Sequence, residues 1–418
     1  MIPLTLKGNC LIAQSGGPTA VINNSICGLI KGSLRYNNIQ NIYGSLFGIK
    51  GVFNEELIDL RQEKRETIDG LRFTPGPALG SCRHKIKDDD YERLLSLFKR
   101  YNIRYFFYVG GNDSMDTANK IHKLAQDTRY DLQVIGVPKT VDNDLSHTDH
   151  CPGYGSAAKY AATVVMETGI DLQGILASSD VVITEIMGRN AGWLPAATAL
   201  AKNNEEDAPN LIYVPEVPFD KTRFLADVEK VYKKLGYVYI VVSEGIRDAE
   251  GNYLAAEKTK DAFGHVKLGN GAANALKDMI NEHMQLKIRC NILGSSQRSA
   301  MHYASRVDAS EAYMVGAEAV KLASRGLSGV MVTLERSQSD IYYCKTGYVE
   351  LQKVANHERK MPLSMINKEY NFVTQEFIAY ARPLIEGNVS VPMKRGLPDY
   401  VVLDGYKKYN SRSRKPAS

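Results

Sequence analysis

YFFYVGGNDSMDTANK, residues 105–120, sets the reading of the whole chain. Tyr105 to Val109 run apolar and aromatic without a polar break, Gly110 and Gly111 follow, and a helical pattern begins near Ser114. A short continuous apolar run is a strand buried on both faces, and a helix directly after it is the crossover of a parallel sheet. The same grammar recurs on either side. CLIAQ (10–14) reads as a strand, SGGPT (15–19) as its turn, and 20–36 as a helix, while VIGVPKT (134–140) is another strand. Loops that leave the carboxyl ends of such strands are where open α/β sheets place ligands.

A second block of the same kind starts near residue 151. PGYGSAAKYAATVVMETGIDL (152–172) is a long helix, DVVITEIMGRNAGWL (180–194) a strand and helix, and YVYIVVSEG (237–245) a strand and loop. Residues 246–262 are polar and read as a surface connection. A helix over 269–284, a strand and loop over 289–299, a helix over 310–326 and a strand over 329–335 complete the pattern. The order is that of an α/β protein with mostly parallel sheets, laid out in two similar blocks. We expect one domain from 1–150 with about 300–345 and a second from 151–299 with about 346–405. The basic, Ser-rich end, 406–418, is expected to be a flexible tail.

Composition removes several classes of function. The 418 residues carry 52 Lys plus Arg against 47 Asp plus Glu, a formal charge of +5 that is too thin over this length to argue for nucleic acid. No apolar stretch approaches the ~20 residues of a membrane helix, and Gly16 and Gly17 arrive before a secretory hydrophobic region could develop. Six scattered cysteines form no C-x-x-C pair and no zinc spacing, so they read as free thiols. These features lead us to expect a cytoplasmic enzyme.

The glycine loops carry the chemistry. Ser15-Gly16-Gly17 lets backbone N–H groups approach an anion at the positive end of the following helix, although a ligand-free βα turn has the same sequence. It matches neither the P-loop nor the G-x-G-x-x-G spacing. Asn112 and Asp113, after Gly110-Gly111, can hold a metal or a phosphate, or cap a helix. PKTVDNDL (138–145) sets Lys139 beside Asp142, Asn143 and Asp144: a cation for phosphate, and carboxylates for base work or Mg²⁺. An Asx-turn is the alternative reading.

Taken in order, SGG (15–17), LGSCR (79–83), GGNDS (110–114), PKTVDND (138–144), MGRNAGW (187–193), SEG (243–245) and SSQR (295–298) resemble the phosphofructokinase family over about residues 8–335. The resemblance is narrower to its pyrophosphate-dependent branch. It implies the phosphofructokinase fold, two Rossmann-like, three-layer domains with a C-terminal extension, together with Mg²⁺ and phosphoryl transfer from pyrophosphate to O1 of fructose 6-phosphate. It also implies a homodimer or homotetramer, with no nucleic-acid or membrane partner.

Residue by residue, the resemblance makes Asp142 the general base, with Lys139 and Asp113 catalytic beside it. Gly16, Arg83, Asp113 and Lys139 line the donor. Thr140, Val141, Asp142, Met187, Gly188, Arg189, Glu244, Arg289, Ser295, Ser296, Gln297 and Arg298 line the sugar phosphate. Asn112 and Asp144 are the metal candidates. ATP-using members have Gly at the positions of Asp113 and Lys139. A carboxylate at 113 repels an ATP α-phosphate by several kcal/mol in order of magnitude, while Lys139 can hold the terminal phosphate of pyrophosphate.

Three positions depart from the family pattern. Asn112 stands where the family has Asp, Ser295 where it has His or Tyr, and Asp180 where short members carry an Arg that reaches a neighbouring subunit's sugar phosphate. The alternatives are an ATP-dependent 6-phosphofructokinase, the same transferase acting on sedoheptulose 7-phosphate, and a non-catalytic sugar-phosphate sensor or regulatory subunit.

Overall fold

The computed structural model describes residues 6–84, 86–87, 90–260, 266–268, 271–339 and 341–413. Lys85 of the glycine-bearing loop 74–85 and the end of the basic tail, 414–418, lie outside the described residues.

Thirteen strands concern the site: β1 (Gly8–Gln14), β2 (Ile39–Ser45), β3 (Leu57–Asp59), β4 (Ile103–Gly110), β5 (Gln133–Pro138), β6 (Val181–Ile186), β7 (Leu211–Tyr213), β8 (Val238–Ser243), β9 (Ala256–Lys260), β10 (Val266–Leu268), β11 (Ile288–Ile292), β12 (Val330–Arg336) and β13 (Cys344–Glu350). The first sheet has the order β13-β12-β5-β4-β1-β2-β3, parallel from β12 to β2 and antiparallel at both edges. The second, β11-β6-β8-β7, is parallel throughout. Strands β9 and β10 pair antiparallel, within and just beyond the expected surface connection.

Period-two alternation builds the layers. Cys10 and Ile12 of β1, with Tyr105, Phe107 and Val109 of β4, enter the core on one face of the first sheet. Leu11 and Ala13, with Phe106 and Tyr108, enter the core on the other. Val182, Tyr239 and Val241 likewise oppose Val181, Ile183 and Ile240 across the second sheet. Buried on both faces, these strands show no polar alternation and read mainly as apolar runs, with Thr184 and Glu185 of β6 among the buried polar exceptions.

The C-terminal segment, expected on the second domain, packs there only through its middle, and its two ends lie on the first sheet. Leu351 and Val354 pack on the first sheet. Met361, Met365, Phe377, Ala381 and Leu384 then join Trp193 in a core of the second. Leu403 returns to the first. The expected flexible tail is helical over Asp404–Ser413. Tyr406 and Tyr409 lie against Phe47, with ring centroids 6.1 and 5.8 Å away, and the Asp404 and Gly405 N–H groups donate to the Glu63 carboxylate at 2.9 and 2.8 Å. Aromatic spacing and a cap overrode the basic composition. Among the described residues no helix is long and apolar enough to cross a membrane.

Candidate active site

Three loops meet at the carboxyl ends of β1, β4 and β5. Gly16 adopts a left-handed φ of 79°, and a Cβ there would lie 3.3 Å from the Lys139 Nζ. A Cβ on Gly17 would come within 2.8 Å of Arg298 Nη1. The two glycines therefore form a floor under two cations. The Lys139 ammonium donates to the Gly17 carbonyl at 2.7 Å, and its backbone N–H donates to the Gly110 carbonyl at 3.1 Å, so one residue ties all three loops. Burial pulls the Lys139 ammonium down to about 8, against the attraction of Asp142 and Asp144 and with the help of Arg298 and Arg83. Arg83 is exposed at the mouth. Asp113 is exposed in the first turn of the helix Asn112–Asp127.

The loop after β5 is held without regular structure. The Asp142 N–H donates to Thr140 Oγ1 at 3.1 Å, and Asn143 takes a left-handed φ of 56°. The buried Asn143 side chain accepts from the Cys151 N–H at 2.9 Å and donates to the Tyr380 hydroxyl at 2.8 Å. Burial pushes the Asp142 carboxyl up, opposed by Lys139 and Arg189. Burial, then Asp142, then Glu358 push Asp144 up to about 7. In both carboxyls desolvation is the leading cause, and at Asp144 the neighbouring carboxylates add to it.

The Asn112 amide has two orientations compatible with its atom positions. In one its nitrogen donates to Asp144 Oδ2 at 3.3 Å. In the other it donates to the carbonyls of His357 at 3.1 Å and Val354 at 3.3 Å. We adopt the second, which satisfies two carbonyls in place of one long bond and turns the amide oxygen toward Asp144. Asp144 Oδ1 is buried without a hydrogen-bond partner. The amide oxygen then faces Asp144 Oδ2 at 3.3 Å, with Asp144 Oδ1 orphaned beside it, and hard oxygens gathered in this way are the kind of ligand a divalent cation takes.

The sugar side comes from the second sheet. Burial and then Asp142 push Glu244 up to about 7, against the Gly188 N–H and Arg189. Burial lowers Arg298, and Arg83 adds to that, while Asp142 and Glu244 counter it. Gln297 is buried, accepting from the Met187 N–H at 3.1 Å and donating to the Gly294 carbonyl at 2.9 Å, so its amide is a strut between two loops. Val141 is 8% exposed and packs into a core, which leaves only its backbone for a ligand. Ser295 and Ser296 are exposed on the same loop.

One neighbourhood thus gathers Gly16, Arg83, Lys139, Asp142, Asp144, Arg189, Glu244 and Arg298. Arg289 stands apart, exposed on the edge strand β11. Asp180 serves that edge, accepting from the Lys287 N–H at 2.8 Å. Sequence reasoning missed Glu358 and Arg359. Glu358 accepts from Asn190 Nδ2 at 2.9 Å and faces Asp142 and Asp144. Its only sequence signal was a charged H-E-R-K run within an otherwise packing segment.

Glycine loops, a buried lysine and clustered carboxylates at parallel strand ends supply the positioning and charge that phosphoryl transfer requires. The chain belongs to the phosphofructokinase family, whose model, described as Phosphofructokinase, matches residues 9–323. A pyrophosphate–fructose 6-phosphate 1-phosphotransferase of Methylococcus capsulatus is 44% identical over 94% of this chain and 96% of its own. A sulfofructose kinase of Alkalicoccus urumqiensis is 36% identical over 86% and 93%. The crystal structure of a pyrophosphate-dependent phosphofructokinase from Nitrosospira multiformis superposes with a TM-score of 0.88 at 43% identity, covering 95% of this chain and 96% of that one. Phosphotransferases of this family generally depend on a divalent metal.

Proposed function

We propose that the protein catalyses the reversible, Mg²⁺-dependent transfer of a phosphoryl group from pyrophosphate to O1 of fructose 6-phosphate, releasing phosphate and fructose 1,6-bisphosphate. The observation that carries this reading is Lys139, a buried ammonium bonded to the donor loop and facing Asp142. An ATP-using site needs open space there, and a lysine fills it.

Asp142 takes the proton from O1 as that oxygen attacks the terminal phosphorus; the O1–P bond forms and the bridging P–O bond of pyrophosphate breaks. Lys139 and Arg298, on the glycine floor, bear on the charge that spreads over the transferring oxygens, with Arg83 at the mouth. Arg189 and Glu244 hold the sugar, with Arg298 reaching its 6-phosphate side as well. Asn112 and Asp144 hold Mg²⁺, which when bound neutralises and orients phosphate oxygens. Donor anhydride and product ester differ little in free energy, so the reaction runs both ways. We also propose a cytoplasmic homodimer or homotetramer.

A coupled assay tests this, with pyrophosphate and ATP supplied separately against fructose 6-phosphate and sedoheptulose 7-phosphate. Turnover with pyrophosphate and not ATP is expected, faster on the six-carbon sugar. Binding of sugar phosphate with no turnover from either donor would instead make the protein a sensor.

A further inference from the structure

Residues 356–385 lie beyond the part of the chain matched by the family model, yet they reach the back of the catalytic loop. Leu145 and Glu358 form an antiparallel bridge, and the Arg359 N–H donates to the Asp144 carbonyl at 2.7 Å. In extended pairing, successive side chains point to opposite sides. Glu358 accordingly faces Asp142 and Asp144, and Arg359 turns behind the loop.

Behind it, the Arg359 guanidinium spends its donors on loop carbonyls. Nη2 and Nε donate to Asn143 O at 2.8 and 3.3 Å, and Nη1 donates to Thr148 O at 2.8 Å and Asp149 O at 2.5 Å. The guanidinium lies 4.6 Å from the Trp193 ring centroid, and the indole N–H donates to the Arg359 carbonyl at 3.2 Å. Tyr380 adds a second tie. Its hydroxyl accepts from Asn143 Nδ2 and donates to Asp149 O, both at 2.8 Å, while its ring packs 5.1 Å from Trp193.

We propose that Arg359, assisted by Tyr380, is a positioning residue that fixes the 142–149 loop, and with it the Asp142 carboxyl, against the Trp193 segment of the second sheet. A left-handed Asn143 followed by irregular backbone has no ladder of its own to hold it. A planar fork with five N–H donors matches several carbonyls at fixed angles, which a lysine cannot do. The base thereby comes from the first sheet and its orientation from the second, so donor and acceptor halves are registered through one side chain. The inference rests on the reading of Asp142 as the base.

The variants Arg359→Met, Arg359→Lys and Tyr380→Phe test it in the full-length protein. Misplacing a reacting group by about 1 Å costs on the order of 10²-fold, so Arg359→Met should lose about that in kcat. Arg359→Lys should recover roughly tenfold of it and Tyr380→Phe should lose about five- to tenfold, with KM for both substrates within about threefold. Amide exchange at Asp149 and Cys151 should accelerate, and emission of Trp193, the sole tryptophan, should shift as the guanidinium leaves its face. If Arg359→Met does not fold, the other two variants decide. A folded Arg359→Lys and Tyr380→Phe with kcat within about twofold of the parent, or with the loss entirely in KM, overturns the proposal. A parent enzyme inactive on pyrophosphate and fructose 6-phosphate would defeat the proposed function instead, and loop exchange in the variants would still decide the positioning role: no acceleration overturns it.

Discussion

Lys139 donates a 2.7 Å hydrogen bond to the carbonyl of Gly17, a residue two strands away in the first sheet, and burial holds its ammonium near 8. An unfolded lysine titrates near 10.4, so the unfolded chain binds more protons between about pH 8 and 10.4 and fold stability rises with pH across that window. Below it the charged ammonium costs on the order of 3 kcal/mol. Pyrophosphate offsets that cost. Two outcomes are expected. The kcat/KM for pyrophosphate falls above about pH 8 as the charge is lost. Lys139→Met raises the melting temperature of the ligand-free protein at pH 7 while removing the alkaline limb and most pyrophosphate use. Unchanged pyrophosphate turnover in that variant would count decisively against the donor assignment.

Asp113 supplies the complementary test of donor choice. Its carboxylate projects at the head of the helix Asn112–Asp127, where a negative group also favours the helix dipole. Asp113→Gly should therefore cost about 1 kcal/mol of stability and at the same time open space for an ATP α-phosphate. Relative kcat/KM for ATP over pyrophosphate should rise at least tenfold, or ~1.4 kcal/mol of discrimination. Donor-dependent kinetics on the purified variant measure it, and an unaltered ratio would remove Asp113 from the specificity argument.

Two helices test how closely the first sheet's layer is packed. Ile22–Ser33 and Arg306–Ser324 cross at paired glycines: a Cβ on Gly28 would lie 2.2 Å from the Tyr313 carbonyl oxygen, and one on Gly316 2.1 Å from that of Ser25. Backbone cannot move aside as a side-chain tip can. Gly28→Ala and Gly316→Ala should each destabilise by about 3 kcal/mol or more. Gly174→Ala, where a Cβ meets nothing within 4 Å, should instead stabilise by roughly 0.5 kcal/mol. Thermal unfolding of the three variants separates close approach from simple glycine entropy.

The strands and their loops were legible because burial on both faces leaves an unbroken apolar run, as in Tyr105–Val109, and because glycines mark where such runs end. The loop residues Lys139, Asp142 and Asp144 stood out as a dense polar group at a strand end, open also to an Asx-turn, and their expected roles came from the family resemblance. Arg359 and Tyr380 were not, since both sit in a segment whose neighbours pack an ordinary core and their partners are backbone carbonyls far away in sequence. Gln297 and Val141 carry motif positions that the fold turns inward, one as a strut and one as packing. The tail misled through its charge, because Tyr406 and Tyr409 outweigh the lysines beside them.

Asn112 shows how the C-terminal segment reshapes a family position. The carbonyls of Val354 and His357 face its side chain at 3.3 and 3.1 Å and require a donor, which an amide has and a carboxylate lacks. The amide oxygen turns toward Asp144, where in the proposed function it would be a weaker ligand for the cation than the family's Asp. In Asn112→Asp the two effects separate. The added charge beside Asp144 should lower the Mg²⁺ concentration for half-maximal activity several-fold. The two carbonyls lose their donor and gain a repelling oxygen, which should cost about 1–3 kcal/mol of stability in metal-free protein. Metal titration of activity and thermal unfolding with and without chelator measure the two terms independently. Tighter Mg²⁺ dependence without a stability loss would show that the amide nitrogen does not serve the two carbonyls, and loss of stability without tighter Mg²⁺ dependence would show that position 112 does not face the ion.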